Sequence, residues 1–302
     1  MNEKEILSNA FKYLRQNNKI LVAPGHDCAA IKITEKKLII ATADQLIEGI
    51  HYSRNTSPAK IARKLIARNL SDIAAAGGAK NLFALCTIAL SNDRKIKIKK
   101  WFDEFFASLG KYSAKFGLTI CGGDIAKIAK PKQSVITMSL FGESSEKKIC
   151  TRAGAKAGDL LLATGKFGNS FKSNHHIEFT PRIIEADFLS GKYTNTMIDV
   201  SDGLLIDSSR LAEASGLGII LDTKHIPLRK GADIKSALSE GEDYELLFAL
   251  SPKKLKELKE KWPFPTKLTT IGKFAKIAKG KVFSEEGIDL ISKFDSGFDH
   301  FK

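Results

Sequence analysis

The sequence predicts an α/β protein, α+β-like in the way its strands and helices are mixed, folded as two domains. Three observations predict it. Apolar strand-like runs alternate with helical repeats, several of those runs open directly onto an aspartate, and a polar, glycine-containing stretch over 142–158 interrupts the pattern near mid-chain. At 302 residues and 43% hydrophobic, the chain can bury two cores. The expected division is 1–145 and 146–302, each half an α/β domain.

Residues 4–14 place Ile6, Leu7, Ala10, Phe11 and Leu14 on one helical face, and the short strand Ile20-Leu21-Val22 leads into a turn at Pro24-Gly25. Leu38-Ile39-Ile40-Ala41 reads as a buried strand running into Thr42-Ala43-Asp44. Ser57-Pro58 starts a helix, with Ser as N-cap and Pro in the first turn, and Gly77-Gly78 ends it; Asp72 lies near its C-terminal end. A strand over 83–90, a helix over 96–116 stopped by Gly117, and a strand over 118–121 entering Gly122-Gly123-Asp124 follow, then a strand over 135–141. The second half repeats the style, with strands at 159–163, 197–200, 218–221 and 244–250, a helix at 203–214 and a Lys-rich helix at 252–261. There is no low-complexity tract and no short-period repeat.

No run of eighteen apolar residues occurs, and Met1-Asn2-Glu3-Lys4-Glu5 does not lead into an apolar signal core, so a cytoplasmic protein without membrane contact is expected. Cys28, Cys86, Cys121 and Cys150 lie 58, 35 and 29 residues apart, which fits no Cys-x-x-Cys spacing and no disulfide framework. The net charge of +14 would suit nucleic acid, yet the densest basic group, Arg94 to Lys100, is interrupted by Ile96 and Ile98. Basic charge also attracts small polyanions such as ATP, and nucleic acid is not expected as the partner.

The chemistry sits in Asp27, Asp44, Asp72, Asp124, Asp199 and Asp202, most of which stand where an apolar strand opens into a polar or glycine-containing turn. One such aspartate is ordinarily turn chemistry or a helix cap. Six together can converge, and carboxylates without His or Cys neighbours suit Mg²⁺, a hard cation shared between protein oxygens and substrate phosphates. A polyphosphorylated substrate is implied. The usual phosphate loop is absent: Thr164-Gly165-Lys166 resembles its end, but Phe167 stands where Ser or Thr is needed. Dinucleotide-binding, protein-kinase and Gly-x-Ser-x-Gly motifs are absent too.

Six ordered motifs, Gly25-His26-Asp27-Cys28-Ala29-Ala30, Thr42-Ala43-Asp44 with Gly49-Ile50-His51, Asn69-Leu70-Ser71-Asp72-Ile73-Ala74-Ala75, Gly122-Gly123-Asp124, Asp199-Val200-Ser201-Asp202-Gly203-Leu204 and Gly241-Glu242-Asp243-Tyr244-Glu245-Leu246, together resemble those of the thiamine-monophosphate kinase family. The closing Gly297-Phe298-Asp299-His300-Phe301 is similar as well. The resemblance implies a two-domain architecture like that of aminoimidazole ribonucleotide synthetase, with an N-terminal sheet used for homodimerisation. It also implies ATP- and Mg²⁺-dependent phosphorylation of thiamine monophosphate to thiamine diphosphate by direct in-line transfer. By motif, Asp27, Thr42, Asp44, Asp72, Asp124, Asp199 and Asp202 would hold several Mg²⁺ ions. Gly123, Asp124, Arg152 and Ser201 would contact ATP, and His51, Glu242 and Phe298 would hold thiamine monophosphate. No residue is assigned as general base.

The chain departs from the family pattern at His26, which replaces an aspartate, at Ala43, which replaces a hydroxyl residue, and at Ile125-Ala126-Lys127, which replaces two threonines and an arginine. The stretch from Gly168 to Pro181 is shorter. Alternatives are another ATP-dependent enzyme of the same superfamily, or a catalytically weak protein that binds thiamine phosphate or nucleotide.

Overall fold

The computed structural model describes residues 3–14, 17–22, 25–91, 98–129 and 133–294. After helix α1 (Glu3–Phe11) come strands β1 (Ile20–Val22), β2 (Ala29–Thr34) and β3 (Lys37–Ile47), helix α2 (Pro58–Ala75), strand β4 (Lys80–Ser91), helix α3 (Ile98–Lys115), and strands β5 (Leu118–Ile128) and β6 (Val135–Ser144). These strands form one sheet in the order β1-β2-β3-β6-β4-β5. Its pairings are antiparallel except that of β4 with β5.

A second sheet, ordered β12-β9-β11-β7-β10-β8, is built from β7 (Leu160–Thr164), β8 (Met197–Asp199), β9 (Gly218–Leu221), β10 (Leu246–Leu250), β11 (Leu268–Ala275) and β12 (Val282–Ser284). Around it lie α4 (His175–Glu178), α5 (Ile183–Leu189), α6 (Leu204–Ala214), α7 (Ile234–Ser239), α8 (Leu255–Lys261) and α9 (Leu290–Lys293). The mixed α/β class therefore holds, and the prevalence of antiparallel pairing accounts for its α+β-like character.

Helix α2 is the element that ties the two sheets together. Ser57 caps it by accepting from Lys60 N, with Pro58 in the first turn. At the other end Gly77 adopts φ +98° while its N–H and that of Gly78 return to Ala74 and Ile73 carbonyls. A Cβ at Gly77 would meet the Lys148 carbonyl oxygen at 2.2 Å, so the helix stop and the docking of the 145–150 segment require the same glycine. One side of α2 packs on β3, β6 and α3, and another meets α4, α5 and β8. Ile61, Leu65, Ile66, Leu70 and Ile73 are fully buried, each stabilising the fold by roughly 1.5–3 kcal/mol.

Two expectations change. The run from Leu118 does not turn at Gly122-Gly123; β5 continues through it to Ile128, with a register shift opposite Ala84 and Leu85. The glycine serves close approach instead, since a Cβ on Gly123 would lie 1.6 Å from the Cys86 carbonyl oxygen. The Lys-rich helix begins as a 3₁₀ turn over Pro252–Lys254 before α8. Strands β2, β11 and β12 and helices α4, α5, α7 and α9 were not separate expectations from periodicity.

Candidate functional site

Period-two alternation along β3 sends Thr42 and Asp44 toward α2 and Ala43 to the opposite, exposed face. On α2, the spacing of Lys64, Arg68, Ser71 and Asp72 places all four on adjoining positions of one helical face. The loop before β2 brings Asp27, and the end of β8 brings Asp199. The result is a trio, Asp27, Asp72 and Asp199, each offering a carboxylate oxygen within 4.8 Å of the others. Asp27 and Asp72 come from the first half of the chain and Asp199 from the second.

The trio has few donors. Thr42 Oγ1 donates to Asp72 Oδ2 at 2.6 Å, and Ser71 Oγ to Asp199 Oδ2 at 2.5 Å. Asp27 takes a forked contact from Arg152, with Nη2 to Oδ1 at 2.8 Å and Nε to Oδ2 at 3.3 Å. Burial, reinforced by the charges of Asp44 and Asp199, pushes the Asp72 carboxyl well above the usual range. Burial and the charge of Asp27 do the same to Asp199. A cluster of oxygen ligands with this excess of negative charge fits Mg²⁺ by donor chemistry.

The outer aspartates are each matched with an arginine. Asp44 Oδ2 lies 2.9 Å from Arg68 Nε, and Asp202 is paired with Arg210, which also binds Asp207 at 2.8 Å. Asp207 accepts from the backbone N–H groups of Ser201, Asp202 and Gly203, and so shapes the turn that presents Asp202; burial lifts its carboxyl to about 6. His26 Nδ1 accepts from Arg152 N at 3.1 Å, and burial, with the charge of Arg152, holds its pKa down.

A cavity of about 280 Å³ is lined by Ile50, His51, Arg68, Phe171, Ser201, Asp202, Glu240, Glu242 and Tyr244, among others. His51 Nδ1 accepts from Ile47 N at 2.9 Å. Lys64, 1% exposed, donates to the His51 carbonyl and to Glu242 Oε2, each at 2.6 Å. Burial lowers its pKa against the pull of Glu242. The other acids of the Gly241–Leu246 motif face inward: Asp243 binds Arg229 and Gly168 N, and Glu245 takes a forked contact from Arg182. Gly241 is needed for close approach, since a Cβ there would meet the Ser201 carbonyl oxygen at 2.5 Å.

Gly123 and Asp124 stand apart from the trio. Asp44 pairs with Met138, Met138 with Cys86, and Cys86 with Gly123, so three strand spacings, about 14 Å, separate Asp44 from Gly123. Asp124 is in register with exposed Thr87 and is itself exposed. Phe298 and its motif lie outside the described residues. Sequence reasoning missed Lys64, Arg68, Arg210 and Asp207. The signal for the first two was available, because 64, 68 and 72 repeat every four residues on a helix already expected.

Over residues 25–144 the chain matches the family model described as AIR synthase related protein, N-terminal domain. Over 99% of both chains it is 33% identical to the thiamine-monophosphate kinase of Buchnera aphidicola subsp. Schizaphis graminum. The solved structure of AaThiL complexed with AMPPCP and TMP superposes with a TM-score of 0.83 at 27% identity, covering 99% of this chain and 97% of that one. The thiamine monophosphate kinase from Aquifex aeolicus gives a TM-score of 0.76 at 27% identity, over 96% and 99% of the two chains. The chain belongs to the thiamine-monophosphate kinase family.

Proposed function

We propose that this protein transfers the γ-phosphoryl group of ATP directly to the phosphate of thiamine monophosphate, giving thiamine diphosphate. The observation that carries the reading is the convergence of Asp27, Asp72 and Asp199, in a chain of this family, next to the Arg68 and Asp202 walls of the cavity. The relative solved with AMPPCP, an ATP analogue, and TMP supports the same pair of substrates.

Asp27, Asp72 and Asp199 would hold Mg²⁺, with Thr42, Asp44 and Asp202 as the neighbouring ligands. Held by these residues, Mg²⁺ would supply positive charge that offsets the repulsion of two anionic phosphates brought together. Arg152 and Ser201 would meet the nucleotide phosphates, and Gly123 and Asp124 would meet the nucleotide at the edge of the first sheet. His51 and Glu242, with Phe298, would position the acceptor. With Nδ1 accepting from Ile47 N, the neutral His51 ring carries its proton on Nε2 and acts as a donor. An acceptor phosphate with a second pKa of roughly 6 is already ionised near neutrality, so no general base is required.

In this reading, residues 1–145 supply most metal ligands and His51, while 146–302 supply Asp199, Asp202 and the remaining acceptor contacts. The chain would act as a homodimer. Phe83, Leu85, Ile125 and Phe141 are exposed on the first sheet, and β5 is one of its two edge strands, a surface that a second copy would cover.

Purified protein with ATP, Mg²⁺ and thiamine monophosphate should form thiamine diphosphate and ADP, and free thiamine should be a far poorer acceptor. Equal rates on the two acceptors would contradict direct phosphate-to-phosphate transfer. Tight binding of both substrates without turnover would mark a binding protein instead.

A further inference from the structure

Phe171 is an aromatic side chain on the cavity wall that none of the roles above uses. It is 44% exposed, and its cavity neighbour Ile50 is 41% exposed. An aromatic ring at a loop surface is unremarkable when it is loose, but this one is fixed from behind. Its ring centroid lies 4.7 Å from that of His176, a buried imidazole whose Nδ1 is 3.1 Å from the Ser170 carbonyl oxygen. Burial and the nearby charge of Lys64 lower the His176 pKa, so the backing ring is neutral.

The backbone before Phe171 is tied to the segment after α7, which lines the same cavity. Ser170 Oγ donates to the Gly241 carbonyl at 2.6 Å, and Ser170 N donates to Glu240 Oε2 at 3.1 Å. Glu240 thereby stands beside Phe171 as a second lining residue. Unlike Glu242, paired with Lys64, and Asp202, paired with Arg210, Glu240 forms no ion pair with a Lys or Arg among the described residues, the basic group near it being His176, whose pKa is lowered. A rigid aromatic face next to a carboxylate lacking a counter-cation matches one ligand chemistry well: a planar ring that carries positive charge.

We propose that Phe171 and Glu240 form the specificity element for the acceptor's cationic ring, with the Phe171 face against the thiazolium and the Glu240 carboxylate balancing its charge. This rests on thiamine monophosphate being the acceptor. It adds a reason for selectivity that the phosphate-binding residues do not provide, since they would treat any phosphate monoester alike. It also gives the 168–181 segment a function, that of presenting Phe171 to the cavity.

The test is titration calorimetry of thiamine monophosphate and, separately, of ATP, into the full chain and into Phe171→Ala, Phe171→Tyr, Phe171→Leu and Glu240→Gln, with thermal melts to verify folding. A cation–π contact of about 0.5–2 kcal/mol corresponds to a loss of roughly 2- to 30-fold. Phe171→Ala should therefore weaken thiamine monophosphate binding within that range while leaving ATP binding unchanged. Tyr should restore affinity, Leu should not, and Glu240→Gln should weaken the same ligand selectively. Unchanged affinity in Phe171→Ala and Glu240→Gln would overturn the proposal, as would Leu restoring affinity as well as Tyr. Should Phe171→Ala fail to fold, the Tyr, Leu and Glu240→Gln comparisons decide alone. Failure of the wild-type chain to bind thiamine monophosphate would overturn the kinase reading as well, whereas unaltered variants of a wild type that binds it overturn only this inference.

Discussion

The buried ammonium of Lys64 on α2 lies 2.6 Å from the Glu242 carboxylate, so that a residue of the first half of the chain fixes a cavity residue of the second. Removing one partner leaves a charge inside the protein without its counterion. Lys64→Met should cost about 3–5 kcal/mol in denaturant unfolding. Adding Glu242→Gln should recover much of that loss, because the stranded carboxylate is gone. Equal stability of the single and double variants would show that the pair is not the source.

Asp72 should display opposite effects on stability and activity. Its carboxyl is raised by burial and by neighbouring carboxylates, so Asp72→Asn relieves a repulsion in metal-free buffer and should stabilise the fold by about 0.5–2 kcal/mol. Turnover should fall at least about 100-fold, as expected on losing a metal or charge-stabilising group. A melt and a steady-state assay on the same preparation check both halves of this prediction.

For His51→Asn, affinity for thiamine monophosphate should fall while the pH profile of single-turnover chemistry keeps its shape. The Ile47 N–H already occupies Nδ1, which suits a donor at Nε2. Loss of a basic limb in the histidine range would instead make His51 a proton acceptor.

Asp243 makes stability pH-dependent. Burial pushes its carboxyl up to about 7 despite Arg229, whereas the unfolded chain releases that proton near the ordinary value of 3.8. Between those pH values the native state binds the extra proton, so this group's contribution is present below about 4 and is lost as pH rises toward 7. Urea titrations at pH 5 and 7 should show that slope, and Asp243→Asn should flatten it.

Much of the fold was legible because α2 and the apolar strands carry their own signals: Ser57-Pro58 and Gly77-Gly78 mark both ends of the helix, and the apolar run Leu38–Ala41 reads as a strand, with Leu38 and Ile40 buried and Ile39 and Ala41 half-buried. The short strand β12 depends on β9, a partner far back in the sequence that periodicity does not register, and β2, although its partner β3 follows it directly, is too short to carry a clear alternation. At the site, the convergence of Asp27, Asp72 and Asp199 could be read from their positions at element ends. The place of Asp124 could not, because Gly122-Gly123 looks like a turn until the approach of β4 to β5 makes it part of a strand. The arginine partners were hidden for a related reason: nothing local in sequence shows that Arg152 will reach back to Asp27.

The division of the trio between the two halves has a further implication. A cation held jointly by Asp27, Asp72 and Asp199 would act as a removable cross-link between segments that also meet through Ser71, Lys64, Arg152 and the packing of α2. Divalent-ion concentration and the tightness of that seam then become linked quantities, each strengthening the other. Chelation would loosen the seam before it unfolds either sheet, and protease cleavage within 145–159 would be the place to see it.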